Sequence, residues 1–591
     1  MRQFLYSLLR LPISGITALR DTFDAAERRL VIQSAIIGVA VWIVVFTLKA
    51  VVHFAEHELA ALVARGGAGL VFISLVIGAL LMAAITRYTA SKVFYRDSQG
   101  TVHELADVEG DGLERAIALY YASEPTLEQT LLGYHGTDAR WQLPSLSLVI
   151  RKFFATLVTL GSGGSGGLEA SVTLIGESMA TALLKPRPLI DDVRHRHPVL
   201  AQLWQWWTTN DPDSLQTVQL SGIAAAIATL FNAPFAAAFF ASEVMYRRRP
   251  IVEKLFYSLI AALIAYFFSN LASGGHAEMF QVDFLPPPPR TFEYYGLIVL
   301  MGVIIALISY YFGRLRTFIE HAFQQYLPNL WLRMLAGFLL TGAIAVSLAL
   351  LFAFDPFFIL GTSESAIDAA FNKELTLTLA LVLLGAKLLA TLITIGAGGS
   401  AGLLVPSIYA GAMVATALAA LFGYSFPVVL IIPAMAASLV SIVNVPLAAI
   451  LFVVEVFGSE YILPALVVMV VALLLSQRTS IYRPQRDSYI PGQIVPGFAV
   501  QRFPVPAAWH NRTLFDLRLR NTYGVSAIGI VTQRNDPNGQ GGPRTLMNPD
   551  RDLPLDKTDT LIVLGHETRL ASFAETLAAL DQQPPSTPPL A

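Results

Sequence analysis

The sequence predicts an all-α polytopic membrane protein, made of two related helical halves with interrupted helices and followed by a small α/β domain. Three observations carry that prediction. The 591 residues are 54% hydrophobic and only 14% charged, with a mean hydropathy of +0.58, a balance foreign to soluble chains. The block "KFFATLVTLGSGGSGGLEASVTLIGESMATAL" (152–183) aligns without a gap on "KLLATLITIGAGGSAGLLVPSIYAGAMVATAL" (387–418), identical at about half its positions, so the two halves read as a duplication. Beyond "RTSIYRPQRDSYIPGQ" (478–493) charge rises and the apolar runs shorten to strand length.

Residues 1–30 hold Arg2, Arg10, Arg20, Arg28 and Arg29. They are too charged to span and carry no small-residue cleavage site, so they read as an amphipathic segment on the cytoplasmic face. The basic stretches 87–96 and 246–250 read as further cytoplasmic loops, and the acidic, Pro-rich 277–295 as an external one. Apolar stretches of about 20 residues, enough to cross about 30 Å of hydrocarbon, lie at 31–53, 68–88, 251–273, 293–313, 331–354, 375–395, 426–443 and 461–477. Those at 168–184, 214–230, 234–246, 404–422 and 446–457 are broken by Gly, Pro or Asn and read as helices that start or stop inside the bilayer. Such breaks are tolerated only where protein or water meets the freed backbone groups. A second matched pair, "FNAPFAAAFFASEVM" (231–245) and "VNVPLAAILFVVEVF" (443–457), supports the duplication. Interrupted segments at corresponding places in two halves point to a substrate site between them. The expected organisation is a membrane domain over 31–490 with repeats at about 31–273 and 293–490, an α/β domain over 497–578, and a disordered Pro-rich tail at 579–591.

The chain contains no cysteine, which excludes disulfides, thiolate metal sites and cysteine nucleophiles. Its net charge of -2 and the absence of a basic cluster of nucleic-acid-binding density argue against a nucleic-acid partner. The chemistry lies in "GSGGSGGLEASV" (161–172) and its echo at 396–407. A helix that starts in mid-membrane presents free N–H groups and a partial positive charge, which favour an anion. Glycines before it let backbone approach that anion closely. Glu169, at the mouth of the first such helix, can take the anion's place when ionised and leave it when protonated, so it is the candidate gate. A rival reading takes "GGSGG" (163–167) as a serine-nucleophile motif with Ser165 attacking, an intramembrane serine protease. It recurs as "GGSAG" (398–402) and no histidine occurs in a central span to act as base.

These residues resemble the CLC family of chloride channels and proton/chloride exchangers over nearly all of 30–490. The family's Gly-Arg-Glu-Gly-Pro signature stands here as Gly167-Leu168-Glu169-Ala170-Ser171, and its Gly-x-Phe-x-Pro signature as Gly402-Leu403-Leu404-Val405-Pro406. "FNAP" (231–234), Lys152 and Glu455 also match family positions. The resemblance implies an inverted-repeat homodimer with one pore per subunit. It implies a central anion site from the amides of Leu403 and Leu404 and the hydroxyl of Tyr482, and an external site from the amides of Leu168, Glu169 and Ala170. The family's Gly-Ser-Gly-Ile-Pro loop best matches "GDGLE" (110–114), placing Asp111 where the family's serine touches the central ion. An acid there repels chloride, so either Asp111 turns away or the central site is weakened.

The family's internal proton-passing glutamate aligns on Val244, next to Glu243. Channel members carry Val at that place, so the sequence favours passive chloride conduction, voltage- or ligand-modulated and gated by Glu169. The alternative is proton/chloride exchange with Glu243 helping. Residues 497–578 resemble the C-terminal subdomain of RCK regulators, which implies pairing in a dimer and a possible small ligand of the cyclic di-AMP class. The resemblance implies no cofactor and no enzymatic activity, and a place in the bacterial inner membrane with the C-terminal domain in the cytoplasm.

Overall fold

The computed structural model describes residues 25–96, 102–122, 146–184, 203–204, 206–208, 212–245, 252–274, 280, 285–476, 481, 482, 485, 493–495, 498–532 and 544–581. The expected amphipathic segment lies outside the described residues up to position 24, as do the tail from 582 and the basic stretch 246–250. Two compact units form, one from Met1–Ser123 and Gln142–Ser488, the other from Glu124–Trp141 and Tyr489–Ala591.

In the first unit the first half contains α1 (Ala25–Gly66), α2 (Gly69–Thr89), a hairpin of β1 (Lys92–Arg96) and β2 (Val102–Ala106), α3 (Gly112–Ala122), α4 (Leu146–Gly161), α5 (Glu169–Leu184), α6 (Pro212–Phe231), α7 (Pro234–Met245) and α8 (Val252–Ala272). The second half contains α9 (Phe292–Tyr326), α10 (Leu330–Phe352), α11 (Glu364–Phe371), α12 (Leu377–Gly396), α13 (Leu404–Phe422), α14 (Val428–Ser438), α15 (Pro446–Phe457) and α16 (Ile462–Leu475). Long helices such as α1, α8 and α9 keep Phe54, Phe267 and Phe318 on the outside, as lipid-facing helices do. By contrast α5, α6 and α13 are buried almost throughout.

Several expectations are corrected. The basic stretch 87–96, read as a loop, ends helix α2 and then forms β1, which pairs antiparallel with β2. The segments 214–230 and 404–422, expected to start or stop inside the bilayer, form helices that are also long and apolar enough to span. The stretch read as a span at 426–443 is a short α14 containing Pro433 and passing into a single π turn at Leu439–Val443, and α16 is only 14 residues long. Proline removes a helical hydrogen bond, and this stretch survives because neighbouring protein buries it completely.

The halves contact each other reciprocally, as a local two-fold requires. Gly167 and Gly402 exchange both backbone hydrogen bonds at 2.9 and 2.7 Å, an antiparallel bridge between the two glycine runs. Gly163 and Gly398 both take positive φ, 98° and 111°, the turn that only glycine makes without strain. At the other break Asn232 and Asn444 both sit in the left-handed region, at 56° and 66°. Asn tolerates that conformation, and Pro234 and Pro446 then open the next helices where a missing N–H costs nothing.

The second unit is an α/β domain. Its sheet has the order β3 (Gln493–Val495), β4 (Phe498–Pro504), β7 (Thr560–His566), β5 (Val525–Thr532) and β6 (Arg544–Met547). Helix α17 (Glu567–Asp581) packs on β4 and β7, burying Leu570, Phe573 and Leu577 with Phe503 and Trp509. Regular structure therefore starts before residue 497 and continues past 578.

Candidate anion site between two helix starts

The glycine runs bring the first turns of α5 and α13 together. Leu168, Glu169 and Ala170 are buried there against Gly402. The Glu169 carboxylate folds back over Gly167 and accepts a hydrogen bond from the Val405 amide at 3.3 Å. A Cβ on Gly167 would strike that carboxylate, and one on Gly402 would strike the Ala170 amide and crowd the carboxylate, so the glycines provide the space for an anionic group between two helix N-termini.

Asp111 does not turn away. It is fully buried, and Oδ2 accepts from the Leu403 amide at 3.0 Å. Its Oδ1 accepts from Leu113 at 2.8 Å and Glu114 at 3.4 Å, capping α3. The amide expected to hold the central anion thus holds a protein carboxylate. The second amide so occupied is Val405, not Leu404. The Leu404 side chain instead lines an apolar cavity of about 20 Å³ with Phe240 and Phe452. Tyr482 is fully buried, within electrostatic reach of Asp111 and Glu169. Its segment is held by buried Arg316, which donates to the Ile481 carbonyl at 2.7 Å and pairs with Glu114 at 2.5 Å.

Glu243 binds across to the other half. Its two oxygens accept from Leu447 and Ala448 at 3.1 and 2.9 Å, capping α15 of the other half. Glu455 mirrors it, accepting from Phe235 and Ala236 at 2.9 and 2.8 Å and capping α7. A carboxylate held by two amides of a helix start is a structural anchor. Val244 is fully buried, and its carbonyl accepts from Gln485 Nε2 at 2.7 Å. Ser165 donates to the Ile359 carbonyl at 2.8 Å and shares a hydrogen bond with Thr391 at 3.0 Å, neither of them a base, so the nucleophile reading has no support.

The sequence marked Lys152 only as a family position and passed over Lys387; the structure makes both of them anchors. Lys152 Nζ donates to Val108 and Gly110 carbonyls at 3.2 and 3.1 Å. Lys387 Nζ does the same to Ile359 and Gly361 at 3.1 and 2.8 Å and to Ser363 Oγ at 2.8 Å. Both lysines open their repeated block at matching places, a signal already present in the alignment.

A model of the voltage-gated chloride channel family matches residues 118–477, more than half of the chain. The H(+)/Cl(-) exchange transporter ClcA of Vibrio vulnificus strain YJ016 is 25% identical over 345 residues, covering 55% of this chain and 66%, just under two thirds, of its own length. A voltage-gated ClC-type chloride channel, ClcB of Citrobacter koseri, is 23% identical over 346 residues, covering 56% of this chain and 74% of its own. Among solved structures, a CLC-type fluoride/proton antiporter superposes with a TM-score of 0.57 at 22% identity, covering 78% of this chain and 98% of that one. The duplicated architecture, the paired helix starts and the matching family span lead to one conclusion: this chain belongs to the voltage-gated chloride channel (CLC) family.

Proposed function

We propose that this protein is a proton-coupled chloride exchanger, with Glu169 as its gate, rather than the passive channel first expected. One observation carries the reading: carboxylates of the chain, from Glu169 and Asp111, occupy the two amides that an anion would use. An anion enters only as a carboxylate leaves, and a carboxylate leaves readily once a proton neutralises it. Anion movement and proton movement are then two halves of one exchange. Relatives named as exchangers support the same direction. Passive conduction remains the second reading, favoured by Val244, an apolar residue at the inner position.

The deciding experiment uses purified protein in chloride-loaded liposomes with chloride and pH electrodes. Exchange predicts that chloride efflux drives proton uptake against the proton gradient; chloride efflux without proton movement refutes it. The proposal extends to a homodimer in a bacterial inner membrane with the α/β domain in the cytoplasm. A groove of about 490 Å³ in that domain, lined by Arg518, Arg520 and Arg551, suits an anionic ligand of the cyclic-dinucleotide kind. Thermal-shift screening with cyclic di-AMP tests this; no stabilisation at saturating nucleotide counts against it.

A further inference from the structure

We propose that Glu177, on α5, is the inner proton-carrying residue of this protein, exchanging protons between the cytoplasmic side and Glu169. The inference rests on the exchange reading above. Glu177 is fully buried, and neither of its oxygens has a hydrogen-bond partner among the described residues. A carboxylate without a partner in apolar surroundings persists only as the neutral acid, so the side chain carries a proton. Structural acids in this molecule look different: Glu243 and Glu455 each accept two backbone N–H groups.

Several charged groups on the helices packed against α5 have partners of their own. Lys49 of α1 donates to the Leu230 carbonyl, and Glu56 of α1 holds Thr362. Glu114 and Arg115 of α3 pair with each other. Arg151 of α4 pairs with Asp107, and Lys152 holds the carbonyls of Val108 and Gly110. Asp213 of α6 pairs with Lys254. Helix α13 carries no charged residue at all. Glu177 is thus an acid in the protein interior that nothing among the described residues uses as an anchor.

Its position suits transfer. Glu169, Thr173, Glu177 and Thr181 recur every four residues along α5, and i, i+4 neighbours lie one above the other on a helix. The two acids are therefore about 12 Å apart along the helix axis at 1.5 Å per residue, with the Thr173 hydroxyl on the turn between them. Helix α5 leads away from Glu169 toward the segment with Lys185, Arg187, Arg194 and Arg196, a basic run that marks the cytoplasmic end. A second unpartnered polar side chain lies on the adjoining helix. Gln219 of α6 is fully buried with neither amide atom hydrogen-bonded, one turn from the close approach of Gly222 to Gly176. The corresponding line in the second half reads Leu404, Ile408, Ala412 and Thr416. The duplication therefore shows that the fold does not need acids on this line.

The test compares chloride efflux and proton uptake in liposomes holding the full-length protein, Glu177→Gln, Glu177→Ala and Glu177→Asp. The expected result is that the Gln and Ala variants continue to release chloride while proton uptake falls by roughly a hundredfold, and that Asp restores part of it. If the unaltered protein pumps protons and Glu177→Gln pumps them equally well, the inference is overturned while exchange stands. Should the unaltered protein move chloride with no protons, the exchange reading fails and this inference falls with it. Labelling of the unaltered protein by a lipid-soluble carbodiimide, which adds to protonated buried carboxyls, covers the case in which the variants do not fold. An adduct at Glu177 with parallel loss of proton uptake supports the inference, and proton uptake that survives full modification of Glu177 overturns it.

Discussion

The blocks 152–183 and 387–418 share half of their residues and one backbone path, yet they do different work. Each begins with a lysine that ties down a preceding loop, Lys152 on Val108 and Gly110, Lys387 on Ile359 and Gly361. Each turns at a positive-φ glycine and starts a buried helix. In the first half the helix begins with Glu169; in the second, Leu404 stands there. By the matching lysine contacts Asp111 of the first loop corresponds to Thr362 of the second, which reaches out to Glu56 of α1 instead of into the site. The fold therefore needs the glycines and the lysines twice but the acids only once. What occurs in one copy alone belongs to function, because the other copy shows that the fold stands without it.

The sharpest way to break this comparison is to make the first half resemble the second at the gate. Glu169→Gln removes the titrating group, and coupled proton uptake should fall by about a hundredfold or more while chloride efflux continues. In the unaltered protein efflux should rise as external pH falls, because protonation frees the Val405 amide; in Glu169→Gln the pH profile should be flat. A variant that keeps the original pH profile would remove Glu169 from the gate.

Asp111→Ser comes next in size. Withdrawing a carboxylate from the Leu403 amide should tighten chloride binding by about tenfold, or about 1.4 kcal/mol, read by isothermal titration in detergent. Unchanged binding would mean that the Leu403 amide is not an anion ligand.

The anchors should respond as structure, not as function. Lys152→Met removes the donor from the Val108 and Gly110 carbonyls, whereas after Lys387→Met Ser165 still donates to Ile359 and the Gly166 amide to Gly361, so they should cost about 3 and about 2 kcal/mol of stability respectively, seen as ordered losses in thermal melting. Smallest are the exchanged caps. Glu455→Gln should cost about 1 kcal/mol and the more buried Glu243→Gln somewhat more, with proton coupling intact in both. Loss of coupling in Glu243→Gln alone would return that residue to the proton path.

Much of this was legible without coordinates. The membrane class, the duplication, the paired broken helices and the place of Glu169 all follow from patterns of apolar length, glycine and repeated spelling. These are local properties, because a helix start and a bilayer-length run are written within a score or so of consecutive residues. The β1–β2 hairpin escaped because its basic residues read equally well as a loop, and hairpin pairing shows only in the register. The partners of Glu243 escaped as well, because Leu447 and Ala448 lie about two hundred residues away in the chain.

By itself, then, the sequence determined that this is a duplicated membrane protein of interrupted helices with a single acid, Glu169, at the start of one of the paired helices. Only the tertiary structure decided that Asp111 occupies the Leu403 amide, that each half caps a helix of the other, and that Glu177 is buried with no hydrogen-bond partner among the described residues. The physical reason is that hydrogen-bond satisfaction inside a membrane protein is settled across the two-fold, between groups far apart in the chain. No local pattern records which buried acid finds its donor and which is left to hold a proton.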